Sequence, residues 1–161
     1  MSTSPLSSFR ITVGSGEDGR DIAVEQRAGG APGLFWLGGF RSDMAGSKAM
    51  ALDALGAEKN LAVTRFDYSG HGISGGDFER GTISRWLEEA EAVLATTNGP
   101  QIIIGSSMGG WLALLLARNA RRLGPEVGRC DAELRQERVF LHWAWRERAV
   151  EIVDERDGLL A

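Results

Sequence analysis

Ser107 lies between two glycines in Gly105-Ser-Ser-Met-Gly109, directly after the β-branched run Ile102–Ile104 and before the apolar run Trp111–Ala117. A buried strand, a tight turn and a buried helix would account for that order. Such a turn lifts a serine hydroxyl clear of a sheet, where it can attack a carbonyl carbon. The chemistry is then acyl transfer. It requires a nucleophile, a base, a group that orients the base, and two N–H donors for the oxyanion. The pattern by itself is weak in a chain with 22 glycines, and its apolar surroundings give it weight.

The backbone N–H of Met108, next after the serine, is one candidate oxyanion donor. The second should come from a loop after an earlier strand. Trp36-Leu-Gly-Gly-Phe-Arg-Ser-Asp43 has that placement, and its glycines let backbone approach the serine. The N–H of Phe40 is therefore the candidate partner of Met108. A double glycine that ends a strand also serves simply as a turn.

The base is harder to place. His71, in Asp67-Tyr-Ser-Gly-His-Gly72, precedes the serine, whereas the order expected is nucleophile, acid, histidine. We read His71 as holding the shape of its own loop. His142 is the only histidine after Ser107, and Asp131 lies between them. Asp131 follows the serine by 24 residues and His142 follows Asp131 by 11, too short for the strands and helices that usually intervene. His142 also sits in the apolar run Val139–Trp145, where a satisfied core histidine is the ordinary explanation. Asp131 and His142 stand as the candidate acid and base against that structural reading. No pair of histidines has metal-ligand spacing and no Cys-His cluster exists, so metal catalysis is not expected.

The elements that must position these groups are legible. Phe9–Val13 and Ile22–Glu25 alternate like paired strands around a glycine-rich turn. Gly33–Leu37 and Leu61–Phe66 read as strands. Ser47–Ala57 and Thr82–Ala95 read as helices, the second with Ile83, Trp86, Leu87 and Ala90 on one face. Strands alternating with helices imply an α/β architecture, a mostly parallel sheet preceded by an antiparallel hairpin. After Arg118 the composition shifts: no serine or threonine follows Ser107, and nine of the 16 arginines lie from Arg118 onward. Val139–Trp145 reads as one more strand, and the charge-dense remainder as a possible helix.

The whole chain, 161 residues with formal net charge −4, is one domain at most. That charge and the lack of a basic cluster argue against a nucleic-acid partner. The single Cys130 excludes an internal disulfide. The N-terminus has no apolar core for a secretory signal, and no run is long enough to span a bilayer. A cytoplasmic location is the expectation.

Leu37-Gly-Gly-Phe-Arg-Ser-Asp-Met44, Arg65-Phe-Asp-Tyr-Ser-Gly-His-Gly-Ile-Ser-Gly-Gly76, Gly81-Thr-Ile-Ser-Arg-Trp86 and Ile104-Gly-Ser-Ser-Met-Gly-Gly-Trp111 together resemble one branch of the α/β-hydrolases. That branch contains a mitochondrial palmitoyl-protein thioesterase and acyl-glucuronide esterase together with bacterial serine hydrolases. The resemblance covers about residues 9–118 and implies ester or thioester hydrolysis through an acyl-enzyme on Ser107, with Phe40 and Met108 as the oxyanion hole and no cofactor. Family members continue with a sixth strand, a lid, an acidic residue after strand seven and a histidine after strand eight. None of these is recognisable here after Arg118. The expectation is a hydrolase core over residues 1–118, its C-terminal strands missing or replaced by a divergent tail over 119–161 that completes or caps the sheet. A bared sheet edge would promote self-association. Two functions stay open: hydrolysis of a small acyl ester or thioester, or a silent hydrolase fragment lacking its acid and base.

Overall fold

Apolar residues at Phe9, Ile11 and Val13 alternate along β1 (Leu6–Val13), which pairs antiparallel with β2 (Arg20–Arg27) from Leu6 opposite Arg27 to Val13 opposite Arg20. The computed structural model describes residues 5–122, 127–135, 138–145 and 148–151. The chain continues through β3 (Gly30–Leu37), α1 (Ser47–Lys59), β4 (Leu61–Phe66), α2 (Ile83–Leu94), β5 (Gln101–Gly105) and α3 (Met108–Arg122). Strand order in the sheet is β1-β2-β4-β3-β5. β3 lies between β4 and β5 and is parallel to both, whereas β2 meets β4 antiparallel. The hairpin and the parallel centre are as the alternation of elements predicts.

Successive residues of β3 serve opposite faces, which is why this strand reads as a continuous apolar run. Phe35 and Leu37 join Phe66, Ile103, Trp86, Ala90, Leu112 and Leu116 under α2 and α3. Leu34 and Trp36 join Val63, Ile104, Ala49 and Leu52 under α1. The central strands are thus covered on both sides. Thr82 begins α2 by accepting the Arg85 N–H through its hydroxyl, and Asn60 ends α1 in the left-handed region at φ 54.

Three further strands, β6 (Val127–Arg135), β7 (Arg138–Trp145) and β8 (Arg148–Glu151), form a separate antiparallel sheet in that order. β7 matches the strand read at Val139–Trp145. The helix considered for the charge-dense remainder is not what forms at Arg148–Glu151, where the chain instead pairs antiparallel with β7, Val150 opposite Trp143 and Ala149 opposite Ala144. Residues 152–161 lie outside the described residues. No helix among the described residues is long and apolar enough to cross a membrane.

Candidate active site

β5 delivers the chain to Ser107 and α3 carries it away at the next residue. Ser107 has φ 54, a left-handed conformation that a residue with a Cβ rarely adopts. The turn is possible because its neighbours are glycines. A Cβ on Gly105 would strike the backbone of Gly109, and one on Gly109 would strike the carbonyl of Leu37 at the end of β3. The Ser106 N–H donates to that same Leu37 carbonyl at 3.1 Å, tying the turn to β3. The Ser107 side chain is exposed, and its hydroxyl makes no hydrogen bond to a described residue. Ser106 faces elsewhere: its hydroxyl accepts from Lys48 Nζ at 3.2 Å.

The loop after β3 lies against this turn. A Cβ on Gly39 would stand 3.5 Å from the Ser107 Cβ and 3.2 Å from the Ser106 carbonyl oxygen. That contact puts the Gly39–Phe40 peptide beside Ser107. Neither the Phe40 nor the Met108 N–H donates to a described residue. The two N–H groups singled out from the sequence are thus without a partner among the described residues. The Phe40 side chain is 56% exposed and joins an aromatic group with Phe78 and Trp86, at centroid distances of 5.2 and 6.3 Å. Beside it an open cleft of about 390 Å³ is lined by Arg41, Asp43, His71, Phe78 and Glu79.

His71 is buried, in keeping with its reading as a loop-shaping residue. Its Nε2 lies 3.2 Å from the Arg41 backbone nitrogen and its Nδ1 lies 3.1 Å from the Ser69 carbonyl oxygen. Asp67 works beside it. One carboxylate oxygen accepts the Met44 N–H at 2.6 Å and the other accepts the Ile73 N–H at 2.9 Å. Arg65 Nη1 donates to the Met44 carbonyl at 2.7 Å, completing a set of bonds from the end of β4 and the loop after it to the loop after β3. Glu89 of α2 is fully buried and bridges Arg20 Nε at 2.7 Å to the Ser69 N–H at 2.9 Å. Burial opposes the Arg20 charge, but the hydrogen bonds to Glu88 and Glu89 outweigh it and hold the guanidinium above its ordinary value. Tyr68, buried under Gly38, has a hydroxyl with no hydrogen-bond partner among the described residues. Burial, helped by the Glu89 charge, pushes that phenol well above the usual tyrosine range.

Sequence reasoning missed Glu89, Arg41 and Lys48. Glu89 had a signal, a carboxylate on the apolar face defined by Trp86, Ala90 and Val93. The left-handed Arg41 had none, since it follows two glycines that already explained the turn. Asp131 on β6 and His142 on β7 are direct backbone register partners. The side chains of both lie outside what the structure describes, so the candidate acid and base are placed along the backbone only. No group of three or more His, Cys, Asp or Glu among the described residues is arranged to hold a metal ion.

A family model described as Alpha/beta hydrolase family matches residues 28–158. The palmitoyl-protein thioesterase ABHD10, mitochondrial, of Homo sapiens is 38% identical over 95 residues, covering 58% of this chain and 31% of that protein. A putative hydrolase from Agrobacterium vitis S4 superposes with a TM-score of 0.71 at 52% identity, covering 73% of this chain and 47% of the other. The mouse alpha/beta hydrolase domain-containing protein 10 gives a TM-score of 0.63 at 31% identity, covering 73% and 46%. The chain thus spans about a third of the length of the curated relative and about half that of the solved structures.

Proposed function

Since the chain belongs to the alpha/beta hydrolase family, we propose that it cleaves acyl esters or thioesters of small molecules through an acyl-enzyme on Ser107. The observation that carries this reading is the left-handed Ser107 at φ 54 with Gly39 packed against it. In the first step Ser107 Oγ bonds to the carbonyl carbon, and the bond to the alcohol or thiol leaving group breaks. The serine proton passes to a base and on to the leaving group. Water then attacks the acyl-serine, giving the acid and restoring the hydroxyl. The Phe40 and Met108 N–H groups stabilise the oxyanion of each tetrahedral intermediate, a contribution of about 3 kcal/mol per donor in acyl transfer. Asp131 and His142 are the acid and base to test within this chain. The thioesterase named among the relatives supports a thioester as substrate.

A second reading is a silent hydrolase. It is favoured by a serine hydroxyl with no hydrogen bond to a described residue. Intact-mass labelling with a fluorophosphonate separates the two, because the reagent reports an activated serine without a known substrate. A mass increase on the wild-type chain that is absent from Ser107→Ala supports the hydrolase. Its loss in both Asp131→Ala and His142→Ala, with folding retained, assigns the acid and base. No label on folded protein overturns the catalytic reading and leaves the silent one.

A further inference from the structure

The turn that carries Phe40 is held in a strained form by one side chain. Gly39 to Ser42 make a β-turn, closed by the Ser42 N–H donating to the Gly39 carbonyl at 3.1 Å. Arg41, its third residue, has φ 56, and Phe40 before it is not left-handed. A positive φ at the third position alone defines a type II turn, where glycine or asparagine usually stands. The type I turn differs by a flip of the central Phe40–Arg41 peptide and would return Arg41 to negative φ. The Arg41 N–H belongs to that central peptide, and His71 Nε2 accepts it at 3.2 Å.

The Ser69 carbonyl at 3.1 Å can only accept, so the proton of the neutral ring sits on Nδ1 and the lone pair on Nε2 faces Arg41. The ring cannot swing away. It is 4% exposed, with Phe78 and Trp86 both at 5.2 Å between centroids. We propose that His71 is a positioning residue for the oxyanion loop: as the Nδ1–H tautomer it holds the Phe40–Arg41 peptide in its strained orientation, and protonation at Nε2 releases that peptide to flip. The proton comes from solvent. After the flip the Phe40 carbonyl faces the ring and accepts the new Nε2–H. The flipped bond is one residue from the Phe40 N–H, so the oxyanion donor is disturbed as the ring gains charge. That catalytic consequence rests on the function proposed above, whereas the flip itself does not.

The charged and titratable groups around the ring come from several elements. Arg41 holds its guanidinium 5.0 Å from the Phe78 ring centroid, and Asp43 and Glu79 line the same cleft. Asp67 is engaged by the Met44 and Ile73 N–H groups, and Glu89 by Ser69 N–H and Arg20. Tyr68 stands edge-on at 5.7 Å between centroids. Among the described residues it is His71 Nε2 that accepts the Arg41 N–H.

The experiment is a pH titration of the isotope-labelled full chain by NMR, reading the imidazole nitrogens, the Arg41 amide and the Phe40 carbonyl carbon. The chain has two histidines, and His142→Gln assigns them. At high pH the His71 proton is expected on Nδ1. As the ring becomes charged, the Arg41 amide and the Phe40 carbonyl should shift along the same curve. In His71→Gln, whose side-chain amide can donate to Ser69 and accept from Arg41, both signals should stay near their high-pH positions. A proton on Nε2, an Arg41 amide indifferent to the ring, or a His71→Gln chain that titrates like wild type would overturn the proposal. Should His71→Gln fail to fold, the tautomer and co-titration of the wild type decide alone. Fluorophosphonate labelling adds a second reading: on the acid side the wild-type rate should show a fall in step with the Arg41 shift on top of the loss from protonation of the catalytic base, and His71→Gln should show the base's loss alone. Absence of label at every pH defeats the catalytic function and leaves the flip to be decided by NMR.

Discussion

The two sides of the candidate site are built differently. On the side proposed to hold the oxyanion, the loop after β3 is fastened by His71 at Arg41, by Asp67 at Met44 N–H and by Arg65 at Met44 carbonyl. Glu89 in turn braces the His71 loop through Ser69 and Arg20. On the nucleophile side, Ser107 is set by backbone packing of Gly105 and Gly109, and its hydroxyl has no described partner. Oxyanion donors act by being in place before charge develops, so they gain from rigid buried bracing. A nucleophile acts by giving up a proton, and its partner has to be a base brought by another part of the fold. Under the proposed function, the contrast puts preorganisation in residues 37–89 and assigns proton transfer to a base from another part of the fold.

The harshest way to break this comparison is Gly109→Val. The new Cβ meets the Leu37 carbonyl, which cannot move without moving β3, and a loss of more than about 3 kcal/mol is expected in denaturant unfolding. A stable, well-folded Gly109→Val chain would show that the turn is not held by backbone contact. Next comes Glu89→Ala, which leaves Arg20 with one acid and the Ser69 N–H without its acceptor. Here about 3 kcal/mol is expected, with faster hydrogen exchange over 69–73. Lys48→Ala serves as the contrast on the nucleophile side, where an exposed contact to Ser106 should contribute well under about 1 kcal/mol. Equal losses from Glu89→Ala and Lys48→Ala would erase the difference between the two sides.

Ser107→Gly sharpens the comparison with the opposite sign. Removing the Cβ at φ 54 relieves left-handed strain and should raise stability by about 1 kcal/mol in thermal unfolding, while Ser107→Ala should not. A destabilised glycine variant would mean that the conformation carries no strain. Tyr68→Phe is expected to have the smallest effect at neutral pH, a gain of up to about 1 kcal/mol, because the hydroxyl it removes is buried without a partner. The phenol is pushed above its ordinary value in the folded chain, so its contribution is intact below about pH 10 and is lost as the unfolded phenol ionises above it. Tyr68 is the only tyrosine, and ultraviolet difference titration reads it directly. Ionisation near the ordinary value in folded protein would contradict its burial, and an alkaline stability loss unchanged in Tyr68→Phe would assign that loss elsewhere.

Period and punctuation made most of the first 118 residues legible. β3 and β5 announced themselves as apolar runs ending in glycine, and α2 as an apolar stripe. Glu89 interrupted that stripe, and only its partners on β2 and at Ser69 explain why a carboxylate is tolerated there. Beyond Arg118 the strand at Val139–Trp145 was legible as an apolar run, whereas β6 was not singled out although Arg129–Arg135 alternates charged and apolar residues. The partner strand that such alternation requires is supplied only by the pairing of β6 with β7.

Local rules in the sequence determined the strand, turn and helix around Ser107, because glycine spacing and apolar period act over a few residues. They also placed Phe40 and Met108 as the two backbone donors to consider. Tertiary structure alone decided that Gly39 touches Ser107, that His71 holds the Arg41 amide, and that Asp67 joins two loops. Those contacts link residues distant in the chain. Their geometry is set by how β3, β4 and β5 lie side by side, which no local pattern encodes.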